Sequence, residues 1–269
     1  MVKVLVAGAA GRMGQQLVKT VQATPDLELA GAFEAPGHAA IGRDAGELCG
    51  LGAIGVPVSA GLEAVADRGE VLIDFTFHTA SLEFVRLAAQ RGLAMVVGTT
   101  GLTAEEESEL ARLAESAFPC VHSANMAVGV NLLFKLVEQT ARILGNAYDV
   151  EILELHHRMK KDAPSGTAIT LGKMAAKGLG RDFDAVAVKE RNGIIGARTD
   201  AEIGIQAIRG GDIVGEHTVY FAGTGERLEL THKASSRDNF ARGAARAAAW
   251  LAGKKNGMYT MFDVLGLNV

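Results

Sequence analysis

Cysteine is nearly absent from this chain: Cys49 and Cys120 are the only two in 269 residues. With no metal-ligand spacing around either, a disulfide framework is excluded and no metal is expected. Aromatic residues are scarce at 5%, and no apolar run approaches the roughly 20 residues that a membrane helix requires. Charge of one sign is lacking too. The 27 cationic and 31 acidic side chains leave a net −4, which argues against general nucleic-acid binding and makes any cationic cluster a local device. The apolar opening Val2–Ala10 is short, meets Gly8, and has no secretion-signal charge order. A cytoplasmic protein without membrane or nucleic-acid partners is expected.

Glycine is what the sequence has in plenty, with 33 residues, and that suits many strand–helix joints. The first 120 residues alternate β-rich and helical periods. Strands are expected at Val2–Ala7, Leu27–Phe33, Val71–Phe75, Ala94–Val97 and Phe118–Val121. Helices are expected at Met13–Ala23, Ala80–Gln90 and Ala104–Ser116, the last opened by Thr103. Continuous apolar strands between helices imply a parallel sheet covered on both faces. The fold class is therefore α/β, with an N-terminal Rossmann-like, doubly wound parallel-sheet domain.

Beyond Ala127 the pattern changes. A long amphipathic helix, Val128–Leu144, leads to a strand at Tyr148–Leu155 and a helix at Ala168–Lys177. Three further strands, Glu202–Arg209, Ile213–Ala222 and Arg227–Lys233, are joined by Gly210–Asp212 and Gly223–Gly225, which read as hairpin turns. This is a second, α+β domain with a mixed sheet. The charged, Gly-rich stretch Arg181–Ala201 has no period and reads as a long loop. The Ala-rich helix Asp238–Leu251 cannot remain unpacked and is expected to return to the first domain. The expected boundaries are 1–126 with 237–269, and 127–236.

Gly8-Ala9-Ala10-Gly11-Arg12-Met13-Gly14 lies between the first strand and the first helix. Such glycines let backbone N–H groups approach a pyrophosphate that the helix N-terminus favours. The spacing is G-x-x-G-x-x-G rather than G-x-G-x-x-G, so its context carries the reading. Glu34, about 20 residues on, ends the second strand where a carboxylate accepts ribose hydroxyls. That carboxylate repels a 2′-phosphate and Ala35 offers no compensating cation, so NADH is favoured over NADPH, with dual use left open. Gly98-Thr99-Thr100-Gly101 is a second candidate ligand-facing loop and reads also as a turn before the Thr103 cap, two readings that are compatible.

The densest chemistry is Glu154-Leu155-His156-His157-Arg158-Met159-Lys160-Lys161-Asp162-Ala163-Pro164-Ser165-Gly166-Thr167. His156 and His157 follow the strand Tyr148–Leu155, so their side chains should diverge and at most one faces the reacting atom. Histidine suits general acid work near neutral pH, and Lys160 can hold a carboxylate or supply a proton. Ser165, Gly166 and Thr167 open a helix whose N–H groups and hydroxyls make an anion seat. The implied ligand is a small anion that is held and protonated. His217 reads as a cross-strand or interface residue. Thr231–Arg237 reads as a hinge and helix cap, with Arg237 able to add charge.

With these residues in place the chain resembles the 4-hydroxy-tetrahydrodipicolinate (dihydrodipicolinate) reductase family. The likeness rests on G-x-x-G-R-M-G at Gly8–Gly14, G-T-T-G at Gly98–Gly101 and S-A-N-M at Ser123–Met126. It continues with E-x-H-H-x-x-K-x-D-A-P-S-G-T-A at Glu154–Ala168, G-D-I-V-G-E-H at Gly211–His217 and T-H-K-A-S-S-R at Thr231–Arg237. The resemblance implies NAD(P)H-dependent reduction of a small cyclic dicarboxylate in lysine and diaminopimelate synthesis. It also implies a homotetramer built through the middle-domain sheets. By the same carry-over His156 is the acid/base residue and Lys160 a proton donor, while His157, Ser165, Gly166 and Thr167 bind the dicarboxylate. Gly8, Ala9, Ala10, Gly11, Arg12, Met13, Glu34, Gly98, Thr99, Thr100, Ser123, Ala124, Asn125 and Met126 line the cofactor. Ala35 departs from the basic residue that many members carry there. A homoserine- or aspartate-dehydrogenase-like oxidoreductase would share the two-domain plan without needing the His-His-x-x-Lys loop. A non-catalytic dinucleotide-responsive protein could dispense with His156.

Overall fold

The structure is a computed structural model that describes residues 1–268. The chain separates into two compact units, residues 1–128 with 237–269, and residues 129–236.

In the first unit β1 (Val2–Ala7), α1 (Arg12–Gln22), β2 (Leu27–Glu34), α2 (Ala45–Cys49) and β3 (Val58–Ala60) are followed by β4 (Val71–Asp74), α3 (His78–Arg91), β5 (Ala94–Val97), α4 (Ala104–Ala117) and β6 (Pro119–His122). The strands lie in the order β6-β5-β4-β1-β2-β3, every pair parallel. All four residues of β4 and of β5 are buried, which explains why Val71–Ile73 and Ala94–Val97 read as unbroken apolar runs. Val4, Val6, Ile73, Val96 and Val121 meet α1 and the C-terminal helix on one face. Leu5, Leu72, Met95, Val97 and Cys120 meet α3 and α4 on the other. Thr103 caps α4 in a reciprocal box with Glu106.

The second unit contains α5 (Val128–Leu144), β7 (Asp149–His156), α6 (Gly166–Leu179), α7 (Phe183–Val186), β8 (Ala187–Val188), β9 (Ile203–Arg209), β10 (Gly215–Gly223) and β11 (Glu226–Ala234). Its sheet runs β11-β10-β7-β9-β8, antiparallel on the β10 side of β7 and parallel on the β9 side. The expected doubly wound α/β unit and mixed-sheet α+β unit are both present. From 237 the chain rejoins the first unit as α8 (Asp238–Leu251), β12 (Gly257–Tyr259) and α9 (Met261–Leu265). There β12 extends the parallel sheet to seven strands beyond β6.

Three expectations need correction. Gly223–Gly225 closes the β10–β11 hairpin, but Gly210–Asp212 does not join paired strands, because β7 lies between β9 and β10. Gly210 N–H and Arg158 N–H instead bond across the end of β7, to His156 O and Gly211 O respectively. Thr231–Ala234 is not a hinge but the end of β11, and Arg237 is the α8 N-cap residue without a side-chain cap. The stretch 181–201 holds α7 and β8. Its remainder is tied down by Arg191 on Glu151 and Glu202, and by Arg198 on Glu151 and Asp149, all at 2.6–3.0 Å.

Candidate active site

Within the first unit, Glu34 ends a parallel strand and the glycine loop, Thr76, Gly98 and Ser123 follow the carboxyl ends of others, where an open α/β sheet binds ligands. Gly14 is obligatory because a Cβ there would sit 2.0 Å from Gly8 O. The helix can therefore press against the loop only through glycine. The loop's early amides are already committed: Ala9 N–H donates to Phe33 O (3.2 Å), Gly11 N–H to Gly8 O (3.0 Å) and Ala10 N–H to Glu34 Oε1 (2.8 Å). Arg12 and Met13 open α1, whose first-turn N–H groups lack intrahelical acceptors. Glu34 thus braces the loop with one oxygen while lining a cavity of about 480 Å³. Glu63, Glu83, Thr76, Phe77 and Gly8 share that cavity. Its lining residues include three carboxylates and, among the described residues, no Lys, Arg or His. A glycine loop pressed onto the start of α1, beside a carboxylate-walled cavity, fits the diphosphate and ribose of a dinucleotide.

Asp74 is a residue that sequence reasoning did not single out. Fully buried at the end of β4, it accepts from Thr76 N–H (3.0 Å) and Oγ1 (2.6 Å), from Ser81 Oγ, and from Thr99 Oγ1 (3.2 Å). Burial pushes its carboxyl up despite those donors. Through it the loop after β4 is tied to Thr99 of the loop after β5, next to Gly98, whose N–H donates to Asp74 O (2.8 Å), and to exposed Thr100. Ser123 Oγ accepts from Met261 N–H (2.7 Å) and so anchors α9. Ala124 and Asn125 follow it, Asn125 Oδ1 accepting from Ala127 N–H (2.8 Å). Met126 is buried, and its carbonyl would lie 1.8 Å from a Cβ on Gly243 of α8.

In the second unit alternate residues of β7 point to one face: Val150, Ile152 and Glu154 are buried there, with His156 at the end. Pairing sets Arg209 of β9 opposite His156, and His217 of β10 opposite Glu154. Helix α6 covers this face. Its N-cap, Ser165, accepts from Ala168 N–H (3.2 Å) and sits 3.1 Å from His217 Nε2. Glu154, with no exposed surface, is the hub. It receives His156 Nδ1 (2.6 Å), both terminal nitrogens of Arg209 (2.7 Å each) and Ser165 N–H (2.9 Å). Burial alone would raise the Glu154 carboxyl, but His156, Arg209 and the Ser165 amide outweigh it and hold the group at about 2. His217 is driven the other way. Burial, reinforced by His156, lowers it to about 3 and keeps it neutral.

The residues expected to act together are thus only partly gathered. His156 and Ser165 share the Glu154 hub, and Gly166 and Thr167 follow as the first turn of α6. Lys160 is paired with Asp162 at 2.9 Å, whose carbonyl also accepts from Arg209 (2.7 Å). His157 lies one position past the strand, on the opposite phase. Its carbonyl accepts from Lys160 N–H (3.1 Å), and no side-chain hydrogen bond joins it to the hub among the described residues. Glu154, Arg209 and His217 were missed as participants. The available signal was Glu154 at position i−2 from His156 on a strand.

A seven-stranded parallel sheet with a glycine cradle and acidic second strand, plus a mixed-sheet unit presenting a carboxylate-backed histidine, defines a two-unit dinucleotide-fold oxidoreductase. Two family profiles divide the chain: "Dihydrodipicolinate reductase, N-terminus" matches residues 2–126 and "Dihydrodipicolinate reductase, C-terminus" residues 129–265. The chain belongs to the dihydrodipicolinate reductase family. A 4-hydroxy-tetrahydrodipicolinate reductase of Desulfotalea psychrophila is 61% identical over 267 residues, 99% of each chain. One of Anaeromyxobacter sp. is 55% identical, over 99% of this chain and 98% of the other. Among solved structures, the dipicolinate-bound dihydrodipicolinate reductase of Paenisporosarcina sp. superposes with a TM-score of 0.76 at 28% identity, covering 98% of both chains.

Proposed function

We propose that His156 and Lys160 supply the proton, and that His157 with the Ser165–Thr167 turn holds the substrate, in the reaction of this family. The chain is an NAD(P)H-dependent oxidoreductase that reduces dihydrodipicolinate to tetrahydrodipicolinate in diaminopimelate and lysine synthesis. The observation that carries the assignment of roles is the His156 ring, whose Nδ1 is held 2.6 Å from Glu154, leaving Nε2 as the nitrogen for proton exchange.

When bound, the reduced nicotinamide supplies a hydride to the substrate's conjugated imine. This chain's residues supply what that addition leaves wanting. Negative charge gathers on the substrate ring, and a donor at His156 Nε2 quenches it. The α6 N-terminus, with Ser165 at its cap, offers N–H groups to one carboxylate, and His157 is the second group that holds the substrate. The Paenisporosarcina relative holds dipicolinate, itself a cyclic dicarboxylate, and the same chemistry suits this turn. For the first unit, the proposal is a dinucleotide on Gly8–Met13, Glu34, Gly98–Thr100 and Ser123–Met126, with NADH preferred. Glu34, Glu63 and Glu83 around the cavity support that preference, because a 2′-phosphate there would meet only like charge.

Both cysteines are buried and unpaired, in keeping with a reducing cytoplasm. No helix of the described residues is long and apolar enough to cross a membrane. Leu228 (43% exposed) and Ile208 (46%) on the mixed sheet support assembly as a homotetramer through this unit, which subunit mass in solution tests. The activity itself is tested by following NADH and NADPH consumption while the preceding synthase makes substrate from pyruvate and aspartate semialdehyde. Rapid synthase-dependent oxidation is expected, faster with NADH. Absence of turnover from protein that still binds NADH would overturn the reading.

A further inference from the structure

We infer that Glu154, locked in place by Arg209, is a positioning residue that fixes the tautomer and the aim of the His156 ring. The inference rests on His156 being the proton-supplying residue. Glu154 and His156 are two residues apart on β7 and so stand on the same face. Arg209 reaches that face from β9, 55 residues away, and grips both Glu154 oxygens at 2.7 Å. A bidentate fork of this kind fixes the carboxylate plane as well as its charge. Ser165 N–H, at 2.9 Å, closes Oε1. Only Oε2 remains for the ring, and an ionised carboxylate can only accept. The proton between them therefore belongs to Nδ1, and Nε2 is the atom that gives and takes protons.

The ring is confined on its other sides as well. His217 meets it edge-on, with centroids 5.2 Å apart at 74°, and is itself tied to Ser165 Oγ at 3.1 Å. Gly215 lies against the Nε2 edge, where a Cβ would come within 3.0 Å of Nε2 and 3.3 Å of Cδ2. The charged and titratable groups facing His156 are thus Glu154 on its own strand, Arg209 on β9 behind that carboxylate, and His217 on β10. The Lys160–Asp162 pair lies in the loop after β7. Of these Glu154 is the one in hydrogen-bond contact with the ring and the one whose charge stabilises a protonated imidazole.

A purely structural role for the Glu154–Arg209 pair would show in folding but not in proton transfer, so the test separates the two. Glu154→Gln keeps the volume and an acceptor for Arg209 while removing the charge. Its kcat is expected to fall about 100-fold or more, with KM for substrate and nucleotide changed less than threefold. The alkaline limb of its kcat profile should move to lower pH, because the carboxylate charge beside the ring is gone. Full kcat with an unshifted profile would overturn the proposal, as would a kcat loss with an unshifted profile. A measurement that needs no variant uses the wild-type protein. Its ¹H–¹⁵N spectrum, at a pH where the ring is neutral, should show the proton on Nδ1 of His156, and a proton on Nε2 instead would sink the idea. His156→Ala, assayed beside Glu154→Gln, keeps the two readings distinct. An active His156→Ala enzyme removes His156 from the mechanism. An inactive one beside a normal Glu154→Gln enzyme removes only the positioning role.

Discussion

Replacing Glu34 tests the nucleotide assignment most directly, because the side chain has two separable duties. Oε1 accepts from Ala10 N–H at 2.8 Å and braces the glycine loop. The rest of the carboxylate lines the cavity beside Glu63 and Glu83. In the proposed complex it accepts ribose hydroxyls. A hydrogen bond to a charged group contributes about 1.5–3 kcal/mol, so Glu34→Ala should weaken NADH binding roughly 10- to 150-fold. The same change removes one of three negative charges around the 2′ position, so NADPH should lose far less or gain. Glu34→Gln separates the duties. Its amide oxygen can still brace Ala10, but the charge is gone, so the NADH/NADPH affinity ratio should fall at least tenfold with the loop intact. Titration calorimetry with each nucleotide measures both constants. An unchanged ratio in both variants would refute the ribose contact, leaving Glu34 as a loop brace only.

His156→Ala should lower kcat by roughly 100- to 10,000-fold, the usual cost of losing a placed acid. Lys160→Ala should lower kcat and raise the substrate KM together, and steady-state rates with near-normal values in either would remove that residue from the mechanism. Acid should destabilise the fold in two stages. His217 is neutral when folded, with a value of about 3 against an ordinary 6.5. Its contribution is complete above 6.5 and is lost as pH falls towards 3, about 2 kcal/mol by pH 5. Glu154, held at about 2 against 4.5, contributes about 3 kcal/mol above 4.5 that disappears as pH falls through 2. Denaturant titrations at a series of pH values should therefore show His217→Gln flattening the loss between pH 6.5 and 4.5, and an undiminished slope would contradict the burial argument.

Sequence periodicity located the long and fully buried elements. Ala94–Val97, Val128–Leu144 and Asp238–Leu251 coincide with β5, α5 and α8 residue for residue. It missed β3, β12, α2 and α9, which are three to five residues long and too short to display a period. The hairpin read into Gly210–Asp212 failed for a different reason. Two strands joined by a tight glycine turn normally pair, and only the insertion of β7 between them, a long-range choice, prevents it. The same limit applies at the site. His156, Lys160 and Ser165 stand out because they crowd one segment, whereas Arg209 and His217 reach Glu154 from other strands. Asp74 looked like the end of an apolar strand, since its partners Ser81 and Thr99 lie in later segments.

Strand β7 carries unrelated cargo on its two sides. Even-numbered positions Glu154 and His156 belong to the buried cluster with Arg209, while odd-numbered Asp149 and Glu151 hold Arg191 and Arg198 and with them the 189–202 connection. A strand alternates sides at every residue, so a slip by one position would exchange the two sets completely. Point substitutions in β7 therefore damage one side at a time. A single-residue insertion or deletion between Glu151 and Glu154 would turn Asp149 and Glu151 to the side of the histidine and leave both arginines facing Val150 and Ile152. The length of this strand is therefore as tightly constrained as the identities of Glu154 and His156 on it.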